Sequence, residues 1–167
     1  MIIRATVKTL KVARIKKNSV KPDELTSMPG EWTAGLISLG SPGKIAINYV
    51  HNLTRIPILI NGKSLTKSND LLSDRINDFL LRHGFSSLIP IFDLNSPIDI
   101  YPSSDRSILA HMNELRRNYV DQFEMFNTIH TLDFQKVEDV YLNYPFSMKS
   151  RGSKLYTTKE ILEELLD

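Results

Sequence analysis

The sequence contains no cysteine and no long apolar run, and these two absences exclude several classes of protein. Without cysteine there can be no disulfide framework, no thiol nucleophile and no thiolate-bound metal. No stretch approaches the roughly 18 consecutive apolar residues of a membrane-spanning helix. The first residues, Met1–Lys8, also lack the apolar core of a signal peptide. We therefore expect a cytoplasmic protein that does not enter a membrane.

Glycine is scarce, and its positions do not match the common phosphate-binding or hydrolase motifs. The seven glycines include no Gly-x-Gly-x-x-Gly fingerprint and no Gly-x-Ser-x-Gly nucleophile elbow. The segment Gly40–Lys44 ends in Gly-Lys as a phosphate-binding loop does. Its two glycines are too close together, however, and Ile45 follows the lysine where serine or threonine is needed. This segment is typical of a turn between two strands.

The four histidines do not have the spacing of a metal site. His51, His83, His111 and His130 include no His-x-x-x-His pair and no His-Glu-x-x-His helix, which would place two ligands on one helix face. We therefore expect neither a metal nor a cofactor.

What is present is an ordinary globular composition in a chain of single-domain length. The 167 residues are 41% apolar and 24% charged, and one domain usually takes about 100–200 residues. Strand patterns occupy the first 60 residues and helical patterns follow them. We predict an α+β fold in which a small, mainly antiparallel sheet packs against three to four helices. Residues 1–130 form the predicted α+β domain, and residues 131–167 form a helical C-terminal extension packed on it.

The elements follow from apolar periodicity and from capping residues. Strands are predicted at Met1–Ala5, Glu31–Leu39, Lys44–Val50 and Ile56–Ile60, with a further extended piece at Ile98–Tyr101. Helices are predicted over residues 7–16, from an N-cap at Ser68 to Gly84, over residues 105–126 and 134–142, and after a capping box at Thr157–Glu160.

The charge is unevenly distributed along the chain. The first 21 residues hold seven basic residues and no acidic one, whereas the remainder has a net charge of −5. A basic segment on an acidic body can bind phosphate or a neighbouring chain. The favoured interpretation is a solvated helix face, because no aromatic residue is interleaved to stack on bases. The candidate nucleic-acid contacts are Lys8, Lys11, Arg14, Lys16 and Lys17.

Two polar clusters remain as candidate sites. The first lies where the second hairpin strand ends and contains Asn48, His51, Asn52, Thr54 and Arg55. We favour a turn here, since asparagine and threonine side chains bond local backbone, although such a group can also hold an anion. The second cluster places Arg106, Asn113 and Arg117 on the face of the long helix that points away from its apolar stripe. A solvated face is the favoured interpretation, but both an arginine in the first turn and an interior asparagine are locally unfavourable.

Several of these segments resemble an uncharacterised family of small bacterial proteins. Residues 1–6 contain Ile-Arg-x-Thr, and residues 105–114 contain Arg-Ser-x-Leu-x-x-Met-Asn. The strand of Trp32 and the Asn52-Leu53-Thr54 stretch are also similar. The resemblance covers roughly residues 1–125 and implies a domain of unknown function often found near mobile-element or plasmid genes. It implies no activity, and it gives priority to Arg4, Thr54, Arg106 and Asn113.

We therefore expect a binding or interaction protein without catalytic activity, whose partner is another protein or a second copy. One alternative is a nuclease-like enzyme acting on a phosphate-containing substrate. Arg4, Arg55 and Arg106 would then bind the anion, and His51 or His111 would transfer a proton. Another alternative is a nucleic-acid-binding accessory factor. The candidate binding residues are Arg4, Asn52, Thr54, Arg55, Arg106, His111, Asn113 and Arg117.

Overall fold

The main sheet has five strands. A computed structural model describes residues 1–15, 29–39, 44–126, 133–148 and 152–167. The strands are β1 (Ile2–Ala5), β2 (Glu31–Ser38), β3 (Ile45–His51), β4 (Pro57–Asn61) and β5 (Asp99–Pro102). They lie in the order β4-β3-β2-β1-β5. The predicted turn at residues 40–43 lies outside the described residues, as do Lys16, Lys17 and His130.

The sheet is mixed. β1 pairs in parallel with both of its neighbours, β2 and β5, whereas β2, β3 and β4 form antiparallel pairs. The α+β class is confirmed, but the prediction of a mainly antiparallel sheet is wrong. That prediction followed from the hairpin pattern of β2–β4, which is local. The two parallel pairs join segments far apart in sequence, and a local pattern does not show such pairing.

Five α-helices and one short 3-10 helix surround the sheet in the described part of the chain. They are α1 (Val7–Val12), α2 (Leu65–Arg82), the 3-10 helix (Ser86–Phe92), α3 (Arg106–Phe126), α4 (Phe134–Leu142) and α5 (Thr158–Glu164). A small antiparallel ribbon, β6 (Phe146–Ser147) with β7 (Leu155–Tyr156), lies between α4 and α5. None of the described helices combines the length and the apolar character needed to cross a bilayer.

Side-chain caps define most helix starts, and one predicted cap is wrong. Thr6 caps α1, and Thr157 forms the predicted capping box of α5. α2, however, begins after Ser64, whose side chain accepts the N–H of Lys67. Ser68 lies inside the helix, where it is buried and its hydroxyl donates to a backbone carbonyl. α1 is also shorter than predicted, since it ends at Val12.

Each face of the sheet is covered by its own set of helices. Ile3, Trp32 and Tyr49 belong to one core, which includes residues of α1, α2 and the 3-10 helix. The other face packs against α3 and α4, and we call it the α3 face. The predicted apolar stripe of α3 is buried there in a core that also contains Val50 and Leu59. The buried members of that stripe are Ile108, Met112, Leu115 and Tyr119.

The C-terminal segment contributes to both cores. Val137 and Tyr141 of α4 pack on the α3 face, while Leu142 and Leu162 join the core on the opposite face. The predicted boundary at residue 130 falls in residues 127–132, which lie outside the described part of the chain.

Candidate functional site

Arg4 lies in the middle of the sheet and is engaged by its own chain. Its neighbours Ile3 and Ala5 point into the opposite core, so Arg4 points to the α3 face. Its Nε donates to the Glu31 carboxylate, and both side chains are buried. A ligand in solvent therefore does not reach this guanidinium.

The turn between β3 and β4 uses the polar residues of the first cluster for local bonding. The Nδ1 atom of His51 accepts the backbone N–H of Thr54 at 3.1 Å. Its Nε2 atom lies 2.6 Å from the carbonyl oxygen of Pro29, and a carbonyl only accepts, so Nε2 carries the proton. Thr33 donates its hydroxyl hydrogen to Oδ1 of Asn52 at 2.8 Å. These contacts support the turn interpretation.

Burial keeps His51 neutral. The ring is fully buried, and this desolvation lowers its pKa to about 4. With both nitrogens occupied, His51 has no free atom with which to move a proton.

Arg55 ends this turn in an unfavourable setting. Its backbone has φ of 64°, a left-handed conformation that is rare for a bulky residue. The side chain is only 5% exposed, and its Nε has no hydrogen-bond partner among the described residues. One terminal nitrogen donates to the carbonyl oxygen of Asn52 at 2.7 Å. Burial lowers the pKa of Arg55, and the charge of Asp105 opposes that shift.

The N-terminus of α3 is capped next to this arginine. The Asp105 carboxylate accepts the N–H groups of Ser107 and Ile108 at 2.7 and 3.3 Å. Arg106, Asn113 and Arg117 are exposed, and none of them makes an ion pair or side-chain hydrogen bond with the described residues. The second cluster is therefore a solvent-facing surface of α3.

A cleft of about 210 Å³ opens between α3 and the ribbon strand β6. We call it the α3–β6 cleft. It brings Arg106 and His111, two of the predicted residues, together with five residues that the sequence analysis did not select. Its lining consists of Arg106, Ser107, Ala110, His111, Glu114, Phe146 and Ser147.

His111 is the central polar group of this cleft. Its ring is 8% exposed and lies 5.1 Å from the Phe146 ring, centroid to centroid. Neither ring nitrogen bonds to any residue in the described ranges. Burial, and to a smaller extent the charge of Arg55, lowers its pKa to about 4. At neutral pH the ring is uncharged, with one N–H donor and one acceptor nitrogen available.

Of the two polar clusters, the lining of the cleft includes only Arg106. The charge of Arg55, in the first cluster, acts on His111, although Arg55 does not line the cleft. Arg106 and Glu114 lie about two turns apart on α3 and add a positive and a negative charge to the lining. The arrangement can hold a compact polar group by charge and hydrogen bonding.

Some of the cleft residues that the sequence analysis did not select could have been found from a local sequence pattern, and others could not. Ser107 and Glu114 lie inside the Arg-Ser-x-Leu-x-x-Met-Asn segment or next to it, so their side of the helix was open to prediction. Phe146 and Ser147 enter the cleft only because the ribbon folds back on α3. No local pattern indicates that contact.

A second cavity, of about 510 Å³, lies between α2, β4 and α4. Its lining includes Asp133 and Phe134, which adjoin residues outside the described part of the chain, and it contains none of the predicted site residues. Lys8 and Lys11 on α1 and Arg14 just after it are exposed. In the ranges that the structure describes, no three histidine, aspartate or glutamate side chains converge as metal ligands.

The comparisons with known proteins identify a family without identifying an activity. No curated protein and no solved structure matches the chain. A family model described as a domain of unknown function, DUF6933, matches residues 2–158. This confirms the resemblance seen in the sequence, and the chain belongs to the DUF6933 family.

Proposed function

We propose that this chain is a binding protein that holds a carboxylate-bearing group in the α3–β6 cleft. The observation that supports this most directly is His111, a neutral imidazole with no hydrogen-bond partner among the described residues, in a cleft that the Arg106 cation also lines. A neutral imidazole donates one hydrogen bond, and an arginine presents two parallel N–H groups to a carboxylate.

The size of the cleft limits what can occupy it. A volume of 210 Å³ corresponds to roughly seven water-sized groups at about 30 Å³ each. Sites for larger molecules usually measure about 300–1,000 Å³. The cleft therefore fits a small organic acid, or the acidic side chain or chain terminus of a partner protein. The small acid and the partner protein would each present a carboxylate to the cleft.

The lining also sets the expected selectivity. The Phe146 ring gives the occupant an apolar wall, and Glu114 repels a second negative charge near its end of the cleft. A monoanion is therefore favoured over a dianion such as phosphate at neutral pH.

The protonation states support binding over catalysis. A general acid or base works best with a pKa near the working pH, and burial holds the pKa of both His51 and His111 at about 4. Arg4, which the nuclease-like alternative assigns to the anion, is paired with Glu31 instead. We place this binding activity in the cytoplasm of a bacterium, with another protein or a second copy of the chain as the partner.

The test is a nuclear magnetic resonance titration with acetate, with a short peptide ending in a free carboxylate, and with inorganic phosphate. We expect the ring signals of His111 to shift on addition of acetate or of the peptide. Arg106→Gln should weaken binding by about ten-fold or more, because a charge-assisted hydrogen bond contributes about 1.5–3 kcal/mol. Arg116→Gln on the same helix is the matched control, because Arg116 is exposed and does not line the cleft.

The outcomes separate the two sources of the carboxylate. A shift with acetate alone supports a small acid, and a much tighter complex with the peptide supports a protein partner. If His111 does not respond to millimolar concentrations of acetate or of the peptide, so that both probes fail, or if Arg116→Gln weakens binding as much as Arg106→Gln, the proposal is wrong.

A further inference from the structure

A row of cations lies on α1 and just beyond its C-terminal end. Lys8, Lys11 and Arg14 are exposed, and their side chains make no ion pair or hydrogen bond with the residues in the described ranges. Lys8 and Lys11 are three residues apart and therefore neighbours on the helix surface. This charged surface is separate from the α3–β6 cleft.

The row is held rigidly. The Thr6 side chain caps the helix by accepting the N–H of Thr9 at 3.3 Å. The Thr9 hydroxyl oxygen accepts the N–H of Leu36 in β2 at 3.1 Å, which ties the helix to the sheet. Leu10 is buried in the core beneath. The cations therefore have a fixed backbone position.

The residue that ends the row is locally unfavourable. Arg14 has φ of 59°, and the N–H of Ile15 closes the helix end on the carbonyl oxygen of Leu10 at 3.0 Å. Glycine is the usual residue at this left-handed position, because any Cβ is strained there. The chain thus keeps a cation where backbone conformation favours glycine, and such local strain is concentrated at functional positions.

We propose that Lys8, Lys11 and Arg14 form a contact surface for the phosphate backbone of a nucleic acid. The surface offers positive charge without an aromatic side chain for base stacking. Its two exposed apolar side chains, Val7 and Val12, suit contact with the sugars between phosphates. Such a surface recognises the backbone and not the base sequence.

The charge of the rest of the chain restricts this inference to the basic N-terminal segment. Residues 22–167 have a net charge of −5, so the body as a whole repels a polyanion. Any affinity for nucleic acid must therefore come from a local surface, and charge-matched variants can locate it.

The experiment is fluorescence anisotropy of the full chain with labelled duplex DNA and duplex RNA over a salt series. Three phosphate contacts predict that log K falls with log salt with a slope of at least about −2.7. Lys8→Gln with Lys11→Gln should reduce the size of this slope by about 1.8, at roughly 0.9 for each contact. The double variant Lys154→Gln with Lys159→Gln makes the same charge change at the other end of the chain and should leave the slope unaltered.

Arg14→Gly separates a contact from a structural role. Because glycine relieves the left-handed strain, the variant should melt at the same or a higher temperature while it loses one contact from the salt slope. A flat salt dependence overturns the proposal. So does an equal loss in the Lys154 and Lys159 control, an unchanged slope in the α1 variants, or binding to anionic vesicles without binding to either duplex.

Discussion

Arginine in a left-handed backbone is the residue-scale feature that distinguishes this molecule. Three non-glycine residues have positive φ in the described ranges, and two of them are Arg14 and Arg55. Arg55 combines that strain with burial and with an Nε that bonds to none of the residues the structure describes. Stability alone does not favour this combination, because a desolvated charge and a strained backbone both raise the free energy of the folded state.

His51 makes the stability of the fold depend on pH. Its folded pKa of about 4 lies below the ordinary value of 6.5, so between these values the unfolded chain binds a proton that the folded chain does not. Stability is therefore fully present above pH 6.5 and falls as the pH drops toward 4, by up to about 3 kcal/mol for this one residue. Denaturant unfolding followed by circular dichroism at several pH values measures the effect.

The variant His51→Gln serves as the comparison for this pH dependence. It should be less stable at neutral pH, with a flatter decline below pH 6.5. The comparison separates the effect of His51 from that of Glu138. Burial raises the pKa of Glu138 to about 7, so its contribution to the free energy of unfolding changes with pH in the opposite direction. Parallel pH profiles for wild type and variant would contradict the assignment.

At the scale of elements, a buried carboxylate joins α4 to the edge strand β4. Oε1 of Glu138 accepts the N–H of Leu59 at 2.8 Å, and Arg75 of α2 donates to both carboxylate oxygens at 2.9 and 2.8 Å. Pro57 has no N–H to offer on the same strand. One side chain therefore satisfies an edge amide and ties three elements together.

Glu138→Ala should destabilise the fold by about 1–3 kcal/mol, since it leaves the buried Leu59 amide without its hydrogen-bond acceptor. Asp139→Asn is the matched control on the same helix, because Asp139 makes ion pairs with Arg82 and His83 but is 38% exposed. Exposed pairs contribute about 0–1 kcal/mol. Urea unfolding of both variants gives the comparison, and equal losses would show that Glu138 has no special structural role.

Sequence patterns predicted those features that depend only on the spacing of residues within a single helix or strand. The capping box at Thr157 and the buried stripe of α3 from Ile108 to Tyr119 needed only local spacing. The prediction of Ser68 as the cap was wrong because Ser64 and Ser68 are both followed by a helical pattern, and local spacing does not distinguish between them. The parallel pairing of β1 with β5 and the contact of Phe146 with His111 depend on chain segments far apart, and local spacing contains no information about them.

The same distinction applies to the candidate site. Arg106 and His111 were predicted because they lie in one unusual helical segment, and Arg55 because polar residues gather after β3. That Arg55 and His111 influence each other follows only from folding the turn under α3. That Arg4 is paired with Glu31 follows only from β1 and β2 lying side by side.

At the scale of the whole molecule, the C-terminal segment is part of the core. Removing residues 131–167 would take away Val137 and Tyr141 and expose the part of the α3 face that they cover. It would also take away the Glu138 carboxylate to which the Leu59 amide donates. We expect the chain of residues 1–130 not to fold, which far-ultraviolet circular dichroism would show as loss of helix and strand. A folded fragment with native-like spectra would instead establish residues 131–167 as a separable extension.

The position of β1 has a consequence for synthesis of the protein. β1 is synthesised before its partner β5, which follows 97 residues later as the pairing of Ile2 with Asp99 requires. At about 5–20 residues per second, translation takes roughly 5–20 s to supply that partner. During this interval β1 has an open pairing edge in the nascent chain, and chaperones that shield such edges should act on this protein before its release.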